Sequence, residues 1–82
     1  MKYNYYNNNK NITGKTIREN REKLKLSRDK LSSQLALLGI TLYGNDIYLI
    51  ENNLRTVRDF ELIAICKILN INCGELEKNI KD

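Results

Sequence analysis

The 82-residue chain carries 14 Lys and Arg against 10 Asp and Glu, with no His, for a formal net charge of +4. That length supports one small core and no second domain. The lack of His removes the commonest general base, and no apolar run approaches the roughly 20 residues of a membrane span.

In chain order, residues 1–12 are rich in Asn and Tyr. Such a composition buries too little to order itself and is expected to be a flexible tail, followed by a folded domain over residues 13–80. The opening MKYNYYNNNKN also lacks the apolar centre of a signal peptide, so the expectation is a cytoplasmic protein. In TGKTIRENREKLKL, Ile17, Leu24 and Leu26 stand among charges and predict a short amphipathic helix. Thr16 with Glu19 makes one capping box for it, and Thr13 is an alternative start. Ser27 is a good N-cap for a second helix, with Asp29 in its first turn. Leu31, Leu35 and Leu38 form that helix's stripe, and Gly39 stops it.

Thr41 is the expected cap of a third helix over about residues 42–52, with Ile47 and Ile50 inward and the Asn52–Asn53 pair at its end. Thr56 is the expected cap of a fourth, whose stripe is Leu62, Ile65, Cys66, Ile68, Leu69 and Ile71. Asn72 and Glu75 repeat the cap signal for a last short helix through about Asn79, with Leu76 facing in. No stretch alternates with period two. The expected fold class is therefore all-α, a compact five-helix domain behind a flexible N-terminal tail.

Charge is uneven along this frame. Residues 1–30 hold nine basic side chains and three acids, residues 31–54 hold only Asp46 and Glu51, and residues 55–82 balance five against five. A basic first third points to a polyanion partner. Catalytic chemistry has no visible home: no Ser or Cys neighbours an activating base, and Gly14, Gly39, Gly44 and Gly74 are too scattered for a phosphate loop. Cys66 and Cys73, seven positions apart without His, do not make a zinc site and are expected to be reduced. Neither an enzyme nor a cofactor nor a metal is expected.

The order of motifs resembles the lambda-repressor/Cro-like helix-turn-helix family, often called the XRE family. The strings that carry the resemblance are GKTIRENREKLKLSRDKL, DIYLIENN and ELIAICKILNI, and together they cover roughly Gly14 to Leu76. A few extra residues between Leu31 and Glu51, around SQLALLGITL, are similar to a subgroup with an insertion before the recognition helix. The resemblance implies a lambda-repressor-like DNA-binding domain in which Arg21 and Glu51 pair across the bundle. It also implies that Arg28 stands where the family often has Gln, as a phosphate contact.

The recognition helix would then offer Tyr43, Asn45, Asp46, Tyr48 and Leu49 to base edges. Asn fits the N6 and N7 of adenine, and Tyr or Leu fits a thymine methyl, a set suited to A·T-rich sites. Phosphate contacts would come from Arg28, Asn52, Arg55 and Arg58. The implied function is a sequence-specific transcriptional regulator of the repressor or Cro type, acting on double-stranded DNA. It would work as a homodimer joined through the last helix or the recognition-side apolar residues.

The absence of Lys and Arg between Lys30 and Arg55 keeps a second expectation open. In it the same scaffold is a protein-interaction module without DNA binding (an antitoxin, antirepressor or inhibitor) that uses Tyr43, Tyr48 and Leu49 as its partner surface.

Overall fold

The first turn of a helix leaves backbone N–H groups without partners, and a nearby side-chain oxygen fixes where the helix begins. In the computed structural model, which describes residues 6–80, five helices start in this way or close to it. They are α1 Gly14–Lys23, α2 Arg28–Leu37, α3 Gly44–Glu51, α4 Asp59–Leu69 and α5 Cys73–Glu77. The fold is all-α. Apart from an isolated bridge between Tyr6 and Asn9, no strand pairing occurs among the described residues.

Ser27 caps α2 as expected, its Oγ accepting from Lys30 N at 3.0 Å. Asn72 caps α5, its Oδ1 accepting from Glu75 N at 3.1 Å. The starts of α3 and α4 differ from expectation. Asp46 Oδ2 accepts from Tyr43 N at 2.8 Å, so α3 begins after Tyr43 and not after Thr41. Glu61 Oε1 accepts from Arg58 N at 2.9 Å, so α4 begins after Arg58 and not after Thr56. In both cases the acid at the third helical position reaches back and sets the boundary.

One core joins α1 to α4. Ile17, Leu31, Leu35, Leu42, Ile47, Ile50, Ala64, Ile65, Leu69 and Ile71 are buried together. Each large aliphatic among them stabilises by about 1.5–3 kcal/mol. α3 and α4 each pack on both α1 and α2, so the first two helices form the platform that carries the third.

Two expected core residues lie outside. α1 ends at Lys23, and Lys25 adopts a left-handed φ of 58°, which turns Leu24 to solvent while Leu26 packs inward. At the end of α2, Gly39 at φ 81° reverses the chain. Leu38 is left exposed and Leu42 enters the core in its place. Ser32 Oγ donates to Leu42 O at 2.6 Å and pins that turn.

The expected tail boundary at residue 12 also shifts. Residues 1–5 lie outside the described residues, but Lys10 N donates to Asn53 O at 3.2 Å and Asn11 is buried. Asn11 Oδ1 accepts from Thr13 N and Gly14 N, both at 2.9 Å. Its Nδ2 donates to Ile50 O at 3.0 Å and Arg55 O at 2.8 Å. This side chain caps α1 and ties it to the end of α3. Thr13 makes no side-chain cap bond, and Thr16 lies inside the helix. Gly14 follows for a steric reason, because a Cβ there would meet the backbone oxygens of Ile50 and Glu51.

Candidate nucleic-acid interface

The N-termini of α2 and α3 open onto one cleft of about 630 Å³, lined by Arg21, Ser27, Arg28, Asp29, Gly44, Asn45 and Tyr48. Helix N-termini present open N–H groups and the positive end of the helix dipole, which suits anions. Gly44 gives the Asp29 carboxylate room at the cleft, since a Cβ there would lie 2.7 Å from Asp29 Oδ1 and the side chain would have to turn aside.

Beneath the cleft lies a charge cluster. Arg21 grips Glu51 with two bonds, Nε to Oε2 at 2.6 Å and Nη2 to Oε1 at 3.2 Å. Its Nη1 donates to Leu26 O at 2.8 Å. The Glu51 side chain is fully buried and that of Arg21 nearly so. The hydrogen bond that Arg21 donates to Glu51 raises its already high pKa, against the opposing pull of burial. A bidentate pair of this kind fixes geometry as well as charge, and here it fixes the end of α3 against α1.

Arg28 joins the same carboxylate, its Nε donating to Glu51 Oε1 at 3.1 Å. Its guanidinium lies 5.2 Å from the centre of the Tyr48 ring, within cation–π range. With the Nε committed and the ring beneath, the terminal NH2 groups of Arg28 are held at the cleft. The side chain is 36% exposed, enough for an anion to reach it.

The other expected contacts are distributed differently. Arg55 is committed to the protein: it donates to Glu61 Oε1 at 3.0 Å, Glu61 Oε2 at 3.3 Å and Thr56 O at 2.8 Å. Glu61 is buried. Burial alone would push its carboxyl up, but hydrogen bonds from Arg55 and the Arg58 backbone, with their charges, hold it below the usual carboxylate range. The bond to Glu61 raises the Arg55 pKa. Arg58 touches Glu61 only at 3.4 Å and its side chain stays 65% exposed, so it faces solvent.

Asn52 is exposed, its Nδ2 donating to Tyr48 O at 2.9 Å. On α3 itself, Asn45 is exposed and lines the cleft, and Tyr43 and Tyr48 are exposed. Asp46 is occupied as the cap. Leu49, expected to point outward, is half-buried, and the chain after α3 folds back on it, with Leu54 N donating to Leu49 O at 2.9 Å.

Lys25 and Lys30 bracket the start of α2 in sequence, and both are exposed. They were not among the expected contacts. The run KLKLSRDK held the signal, a dense set of cations around a capped helix start.

No protein-family model, no curated protein and no solved structure matches this chain.

Proposed function

We propose that this chain is a sequence-specific DNA-binding regulator of the repressor type, working in the cytoplasm. It sets α3 in the major groove and the start of α2 against a phosphate. The observation that supports this most is Arg28, held at the shared cleft of two helix N-termini by a buried carboxylate and a tyrosine ring. A guanidinium prearranged in this way binds phosphate without first losing its freedom. Lys25 and Lys30 add charge beside it, and Asn45 supplies a bidentate partner for adenine. Tyr48 gives an apolar surface for a thymine methyl, so A·T-rich sites are favoured.

Selection from a pool of random duplexes, followed by fluorescence anisotropy, tests this reading. An enriched duplex should bind with a slope of roughly −3 in log affinity against log salt per subunit, from about three phosphate contacts. Arg28→Ala should weaken all duplexes alike and flatten the slope by about 1. Asn45→Ala should instead relax preference at one base pair by about 1–3 kcal/mol. Failure to enrich any duplex at low salt overturns the proposal.

A second reading, a protein-interaction module, is favoured by one observation. Asp29 in the cleft and the buried Glu51 beneath it offset Arg21 and Arg28, and the exposed aromatics Tyr43 and Tyr48 lie on or beside α3. Under that reading Tyr48→Ala abolishes a protein complex while Arg28→Ala leaves DNA affinity unchanged.

A further inference from the structure

The buried residues of α4 are Glu61, Ala64, Ile65 and Leu69, and the helix packs on α1 and α2. The opposite side is a stripe of exposed residues, Asp59, Phe60, Ile63 and Lys67. Ile63 is 67% exposed and Phe60 53%. They stand one turn apart on the same face in the first half of α4, and a contiguous exposed apolar pair of this size is not accounted for by the fold of a single chain.

The stripe has an order of its own. Taking Ile63 as centre, Asp59 lies four residues before it and Lys67 four after, while Phe60 lies three before and Cys66 three after. If two copies of this helix are laid antiparallel about a two-fold axis at Ile63, every residue meets its complement. Ile63 meets Ile63, Phe60 meets the half-buried Cys66, and Asp59 meets Lys67. Parallel alignment would set Asp59 against Asp59 and Lys67 against Lys67. A surface that is complementary to itself only under a two-fold rotation is the signature of an isologous contact.

We propose that the chain forms a two-fold homodimer through α4, with the two helices antiparallel and Ile63 on the axis. The contact goes beyond the DNA-binding reading and does not depend on it. It also differs from the expected pairing through the last helix or the recognition side. Helices packed at 8–10 Å bring facing side chains into contact, and sulfur beside an aromatic edge is a favourable neighbour for Phe60. The stripe is small beside the roughly 1,200 Å² buried by stable pairs, so association with a dissociation constant on the order of 10 µM to 1 mM is expected.

Sedimentation equilibrium of the full chain without DNA measures this association directly. Lys67→Asp sets two acids against each other, and Asp59→Lys two amines. Each single change should weaken pairing about fivefold or more, and the double variant should recover most of the loss. Circular dichroism on every variant separates lost pairing from lost folding, which matters because Asp59 Oδ1 also accepts from Phe60 N at 2.6 Å.

Independently, Ile63→Cys in a Cys66→Ala, Cys73→Ser background should oxidise readily to a covalent dimer, because residues on the axis face their own copies. Arg18→Cys, exposed on α1, should not. A chain that stays monomeric at millimolar concentration overturns the proposal, even if the α4 face retains some other protein. So does cross-linking at position 18 as fast as at position 63.

Discussion

Asn11 is expected to be among the most sensitive polar positions in this protein. Asn11→Ala deletes an acceptor used by Thr13 N and Gly14 N and a donor used by Ile50 O and Arg55 O. Ile50 O keeps a second partner, Asn53 N at 3.1 Å, so three backbone groups lose the bond that satisfied them. At a net 0.5–1.5 kcal/mol each, the change should cost about 2–4 kcal/mol. A domain of this length has only about 4–12 kcal/mol in total. The melting temperature should fall by roughly 10–25 °C, at about 4–8 °C per kcal/mol for a domain of this size.

Asn11→Asp sharpens the test. The carboxylate keeps the cap for Thr13 and Gly14 but turns an oxygen, with no proton to donate, toward the two carbonyls. It should therefore destabilise at least as much as Asn11→Ala. Urea unfolding followed by far-UV circular dichroism reads both. A loss below about 0.5 kcal/mol for both variants, the ordinary cost of a surface change, would mean that this residue belongs to a loose tail and ties nothing together.

Gly14→Ala should destabilise by about 1–3 kcal/mol despite alanine's better helix propensity, because its methyl runs into the backbone at the end of α3. Urea midpoints measure this, and a stabilised variant would contradict the close approach. Glu51→Gln should cost about 3–5 kcal/mol, since it leaves the nearly buried Arg21 without a counter-charge. Adding Arg21→Met should restore part of that loss in the same assay.

Stability should also decline in acid through Glu61. Its folded carboxyl titrates below its unfolded value, so the unfolded chain takes up the proton first as pH falls. The stabilisation is present above the unfolded value of about 4.3 and is lost as pH drops through the lower, folded one. Glu61→Gln should flatten the stability profile between about pH 5 and 3 relative to the parent chain. An unchanged slope would show that the pair with Arg55 is not felt.

Much of the fold was legible because its cause is local. The spacing of Leu31 and Leu35, the cap at Ser27, the stop at Gly39 and the box of Asn72 with Glu75 each depend on a few neighbouring residues, and each stands in the folded chain where its chemistry placed it. The pairing of Arg21 with Glu51, implied by the resemblance, is a bond across the bundle. Where two local signals competed, as with Thr41 against Asp46 or Thr56 against Glu61, propensity could not rank them. The winner was the acid whose carboxylate reached the open N–H.

The candidate site was less legible, since the same residue type serves inward or outward according to what folds against it. Arg28 and Arg55 look equivalent in the sequence as exposed cations. Tertiary packing directs Arg55 into a buried carboxylate and leaves Arg28 held at the mouth of a cleft. Asn11 read as tail until the end of α3 came within reach of its amide, since its value lies in carbonyls 39 and 44 residues away. The five helices in their order, and core positions such as Leu31, Leu35, Ile47 and Ile50, were determined by the order of residues along the chain, because turns and helices close over a few positions. Which polar groups meet was decided only by the packing of α1 against α3, because burial makes each unsatisfied donor or acceptor costly and selects the partners that distant segments supply.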